Sequence, residues 1–133
     1  MRHFFNIILS LLLTVTLFSC NNGTAQEEVK DLSPEAFSEA ITGKNVQLID
    51  VRTPDEYDSG HIPNAKNIDY FNDNFQTSLK ILDTLQPVFI YCRSGNRSGK
   101  SVADFKNAGF TKIYNLEGGI LNWQSKNLQT TSP

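Results

Sequence analysis

The chain has 133 residues, of which 39% are hydrophobic and 20% charged, and its formal net charge is −2. That length suits one domain around a single core, with little room for a second catalytic domain. A balance so close to neutral points to neither nucleic acid nor an anionic membrane surface as a partner.

The N-terminus stands apart in composition. A short basic start, MRH, precedes the apolar run FFNIILSLLLTVTLF, and Ser19-Cys20 follows. The run is too short for a comfortable membrane span and fits a secretory signal, so residues 1–19 are set outside the fold. LFSC resembles a bacterial lipobox, in which Cys20 would become the lipid-modified first residue of the mature chain, although Phe18 is bulkier than the small residue common there. A plain signal peptide with an incidental cysteine is the alternative. Residues 20–28 are polar and aperiodic, as a tether between anchor and domain would be.

Beyond the tether, EVKDLS (28–33) reads as a short edge strand running into a helix cap. Ser33 can cap, Pro34 fits the first helical position, and Phe37, Ala40 and Ile41 recur at helical spacing until Gly43. VQLIDVR (46–52) reads as a buried strand whose charged end reaches a functional edge. Residues 53–65 carry Pro, Gly, Pro and Asn, which predicts a loop with at most a helical turn. A brief strand follows near 66–70. Phe75, Leu79, Leu82 and Leu85 then trace an amphipathic helix that Pro87 ends.

VFIY (88–91) is the strongest strand signal in the chain. A helix with Val102, Phe105 and Ala108 on its inner face starts near Ser98 and stops at Gly109. KIYNL (112–116) is another strand and EGG a turn. ILNWQSKN (120–127) closes the domain as a helix directing Leu121 and Trp123 to the core. Alternation of strands and helices predicts an α/β fold, with a central, mostly parallel five-stranded sheet and helices on both faces. The domain so read covers 29–128 and leaves 129–133 as a C-terminal tail.

In such sheets ligands bind beyond the carboxyl ends of the strands, which is where Cys92 falls. With Cys20 assigned to the anchor, Cys92 has no partner for an intramolecular disulfide. A small buried core thiol is one reading of such a residue; the sequence CRSGNRS (92–98) supports another. A thiol with a pKa of about 8.5 is mostly protonated at neutral pH, so a nucleophile needs its anion stabilised. Gly95 and its small neighbours can curl their N–H groups inward as an anion-binding nest. The following helix contributes the positive end of its dipole. Arg97, and to a lesser extent Arg93, adds full charge. Lowering the pKa by about two units takes roughly 2.7 kcal/mol, more than the ~1–2 kcal/mol of one helix end, so several N–H groups must share the task.

Three segments together resemble the single-domain rhodanese-like sulfurtransferases: LIDVRTPDEYDSGHIPNA (48–65), VFIYCRSGNRS (88–98) and NLEGGILNW (115–123). The resemblance runs from about Val29 to Leu128, with Asn64 where the family commonly has glycine. It implies a rhodanese-like fold, Cys92 as the residue that becomes a persulfide, and Arg97 as the loop arginine. Arg93, Ser94, Gly95, Asn96 and Ser98 would line the substrate cradle. Asp50 and Arg52 would brace the active-site edge, and Glu56 and His61 would position the loop, His61 hydrogen-bonded beneath the site.

Four residues separate Cys92 from Arg97, whereas phosphatases with a comparable loop place five. The smaller ring suits a sulfane sulfur atom. The resulting expectation is a sulfurtransferase passing sulfur from thiosulfate or a similar small-molecule donor to cyanide or a thiol. Its rival is a non-catalytic binding or sulfur-sensing module. No cofactor and no metal are implied, since one cysteine and two separated histidines form no ligand cluster. The protein is expected to be a monomer, membrane-anchored through Cys20 in the cell envelope and facing the periplasm.

Overall fold

Five strands form one all-parallel sheet in the order β1-β5-β4-β2-β3. They are β1 (Glu28–Leu32), β2 (Gln47–Asp50), β3 (Lys66–Asn67), β4 (Val88–Tyr91) and β5 (Lys112–Leu116). The structure, a computed structural model, describes residues 26–133. Cys20, the expected signal and most of the tether lie outside the described residues.

Central position explains the composition of β4: all four of its residues are buried, and a strand covered on both faces must be apolar throughout. Its alternation divides the core. Val88, Ile90 and Cys92 pack with Phe75, Leu79 and Phe105 on one face. Phe89 and Tyr91 pack with Phe37, Ile120 and Trp123 on the other. Helices α3 (Phe75–Ser78) and α4 (Asn96–Asn107) therefore cover the first face, and α1 (Pro34–Ile41) and α5 (Gly119–Ser125) the second. None of the described helices is long and apolar enough to cross a membrane.

Several elements differ from the sequence expectation, each for a local reason. The helix expected to run through Leu85 stops after α3 and one 3-10 turn, Leu79–Ile81, and Leu85 is 90% exposed. The Gln47 side chain holds the next residue, accepting from Asp83 N–H at 2.7 Å and donating to Asp83 C=O at 2.9 Å, while Asp83 Oδ1 accepts from Leu85 N–H. These bonds fix a turn in place of further helix. Leu121, expected in the core, is 44% exposed. Because α5 begins at Gly119, the inward positions three apart are Ile120 and Trp123. Helix α4 begins at Asn96, two residues earlier than read, because Gly95 caps it in the left-handed region at φ +95°.

The 53–65 segment holds the five-residue helix α2 (Pro54–Asp58), stabilised by a reciprocal capping box between Thr53 and Glu56. Asn64 takes the left-handed conformation, φ +68°, that a glycine would otherwise supply. The tail is strapped down: Thr131 exchanges two 2.8 Å backbone bonds with His61, and Trp123 Nε1 donates to Gln129 C=O.

Candidate active site

Cys92 follows β4 directly, so its position at the carboxyl edge is set by the best-buried strand of the sheet. Its Sγ accepts from Gly95 N–H at 3.1 Å and from the Ser98 hydroxyl at 3.4 Å. Burial pushes the thiol pKa up, but the Ser98 hydroxyl and the N–H groups of Ser98, Ser94 and Gly95 outweigh it and leave the pKa below its ordinary value. Cys92 is nonetheless only 1% exposed.

The N–H groups can converge because the carbonyls face elsewhere. Cys92 C=O accepts from Ile120 N–H at 2.9 Å and Arg93 C=O from Leu121 N–H at 3.1 Å, while Gly95 C=O accepts from Gly99 N–H at 3.0 Å. The unpaired donors of the α5 N-terminus thus draw two loop carbonyls outward. Gly119 makes this approach possible: a Cβ there would lie 2.5 Å from Arg93 O and 2.6 Å from Cys92 O. The sequence reading took EGG as a turn only and missed this contact. The available signal was a glycine pair at a strand end, immediately before a helix.

The loop residues divide by environment. Ser98 is fully buried and turned to the sulfur, whereas Arg93, Ser94 and Asn96 are exposed at the rim. Arg97, expected in the cradle itself, hydrogen-bonds to Glu56 through both terminal nitrogens, at 2.6 and 2.7 Å, with its guanidinium carbon 5.4 Å from the centroid of the Phe71 ring. It makes no hydrogen bond to Sγ and acts on Cys92 by charge through space. The Arg97 bonds, working against partial burial and helped by Thr53, bring the Glu56 pKa down to about 2. Glu56 therefore ties α2 to α4 beside the loop.

Asp50 and Arg52, expected at the active-site edge, pair with one another at the end of β2. Arg52 donates to both carboxylate oxygens, closest at 2.6 Å, and to Gly60 C=O at 2.7 Å, while Asn67 bonds the carbonyls of both residues. Neither hydrogen-bonds to Cys92. Tyr91 joins on the same side by accepting from Ile62 N–H at 3.0 Å, and burial, reinforced by the Asp50 charge, pushes its hydroxyl far above its ordinary pKa. His61 stacks on Tyr57 at 3.7 Å, with Nδ1 2.9 Å from Tyr57 C=O. It bonds the tail and α2 and makes no hydrogen bond to the sulfur loop. Among the described residues, no three His, Cys, Asp or Glu side chains converge as a metal site.

This arrangement can hold one negative charge on Sγ or on an atom bonded to it. Comparison with known proteins agrees with the geometry. The family model described as "Rhodanese-like domain" matches residues 33–126. The chain is 33% identical to a sulfurtransferase of Allochromatium vinosum, covering 79% of this chain and 97% of that one. It is 30% identical to the thiosulfate sulfurtransferase GlpE of Pseudomonas syringae pv. syringae, covering 78% and 95% respectively. The crystal structure of a rhodanese-related protein from Thermoplasma volcanium superposes with a TM-score of 0.68 at 27% identity, covering 77% of this chain and 97% of that one.

Proposed function

The chain belongs to the rhodanese-like domain family, and from that premise we propose that it transfers sulfane sulfur from thiosulfate or a similar donor to cyanide or a thiol through a Cys92 persulfide. Cys92 thiolate attacks the outer sulfur of thiosulfate. A Cys92 S–S bond forms, the donor S–S bond breaks, and sulfite leaves with its electron pair. The terminal persulfide anion then lies among the loop N–H groups. Cyanide attacks that terminal sulfur and leaves as thiocyanate, or a thiolate takes it and becomes a persulfide; either way Cys92 regains its electron pair. Two covalent half-reactions imply ping-pong kinetics.

The observation that carries this reading is the convergence of N–H and hydroxyl donors on Sγ, with the loop carbonyls turned away. Intact-mass spectrometry of the purified protein before and after thiosulfate tests it. One added sulfur, mapped to Cys92, is expected. Absence of that addition would leave the rhodanese-like binding or sulfur-sensing module, a reading favoured by one feature, the near-complete burial of the sulfur.

The order of basic start, apolar run and LFSC supports an exported lipoprotein held to the envelope by Cys20, with the domain facing the periplasm. Membrane fractionation of wild type against Cys20→Ala checks this. Release of only the variant supports the anchor, and a soluble wild type overturns it.

A further inference from the structure

Three arginines surround the Cys92 loop, and two are neutralised. Arg52 is paired with Asp50, and Arg97 is held end-on by both oxygens of Glu56, which Thr53 N–H and Oγ1 fix in turn at 3.0 Å. Phe71 covers a face of the Arg97 guanidinium. Only Arg93 stands exposed at the rim. The donors that touch Sγ are uncharged: a backbone N–H and a hydroxyl. Such dipoles hold anions of either charge, and a full charge nearby weighs twice as heavily on a dianion as on a monoanion, because Coulomb energy scales with the charge of the ligand.

We propose that Glu56 is a specificity-determining residue of this site: by clamping Arg97 it cancels a full positive charge beside the loop, and so biases the cradle toward singly charged sulfur species such as a hydropersulfide and against doubly charged oxyanions and thio-oxyanions. The proposal rests on the reading of the loop as a cradle for a sulfur anion. Its consequence for the donor is that thiosulfate, a dianion, binds less well than the three arginines alone would suggest, and a persulfide donor is disfavoured far less. Glu56 acts here by its charge, set against that of Arg97, and touches no substrate.

The test measures anion binding without requiring turnover. The full-length protein is alkylated with uncharged iodoacetamide, Cys92 is followed by peptide mass spectrometry, and protection by sulfate is compared with protection by thiocyanate. E56Q removes the charge but keeps a residue able to complete the capping box with Thr53. If loss of one negative charge strengthens thiocyanate binding about threefold, sulfate binding should strengthen about tenfold, the square of that factor. In an R97M background the carboxylate stands uncountered and still bears on the ligand, so the same substitution should again favour sulfate over thiocyanate. Equal changes for the two anions, or no change, in either background would overturn the proposal. Should E56Q fail to fold, R97M alone must weaken sulfate protection more than thiocyanate protection, and equal weakening overturns it. Because sulfur transfer is not needed, failure of Cys92 to acquire sulfur and failure of this selectivity are read separately.

Discussion

Asp50–Arg52 and Glu56–Arg97 are both carboxylate–arginine pairs at the carboxyl edge of the sheet, yet they occupy different environments. The first is sealed, with side chains 0% and 5% exposed, and it braces β2 against the Gly60 turn. The second is open to water, at 28% and 18%, and links two helices beside the sulfur. Burial decides what each can do. A sealed pair is costly to break and has fixed geometry, while a partly exposed pair adds less stability and can be opened to change the net charge beside the loop.

The largest expected effect comes from breaking the sealed pair. Arg52→Met leaves the Asp50 carboxylate buried without a counter-charge and should cost about 3–5 kcal/mol in chemical denaturation, whereas replacing both partners by apolar residues should recover much of that loss. Arg97→Met should cost only about 1 kcal/mol. Comparable losses from the two single substitutions would erase the distinction between brace and tuner.

The loop side of the edge is held by backbone as well as by charge. Gly119→Ala would force a Cβ against the carbonyls of Cys92 and Arg93 in a backbone at φ +61°, costing about 2 kcal/mol. It should also raise the Cys92 thiol pKa, read from the pH dependence of alkylation. A stable variant with an unaltered profile would show that α5 does not shape the loop.

Acid distinguishes the pairs with the smallest effect. Glu56 titrates at about 2 in the folded protein against its ordinary 4.5. Its contribution is therefore fully present above pH 4.5 and fades as the pH falls toward 2. Partial exposure limits it to about 1 kcal/mol. The stability gap between wild type and E56Q should narrow across that window, and a gap that widened there would reverse the assigned sign.

Sequence patterns made the sheet legible because β4 and its neighbours are short, apolar and bounded by turn residues, and they put Cys92 at the correct edge for the same reason. Periodicity failed where a distant residue intervened. Gln47 fixes the turn at Asp83 from 36 positions away, and no local pattern encodes that contact. Leu121 was misplaced because it lies two positions from Trp123, about 200° around the helix, so the two cannot share an inward face. The loop residues were read from sequence as one group, and only packing separates their environments. Ser98 turns to the sulfur, whereas Arg97 turns to Glu56, 41 residues distant in sequence. Gly119 acts through an approach of backbone to backbone, which residue type alone suggests only weakly.

The central claim is that Cys92 carries the sulfur, and the most direct measurement is thiocyanate formation from thiosulfate and cyanide by wild type and by folded Cys92→Ser. The serine hydroxyl keeps the shape of the loop but neither ionises near neutral pH nor accepts sulfane sulfur, so the variant should fall to the uncatalysed rate while its thermal unfolding stays close to that of wild type. Turnover by Cys92→Ser at a rate comparable to wild type would contradict the account.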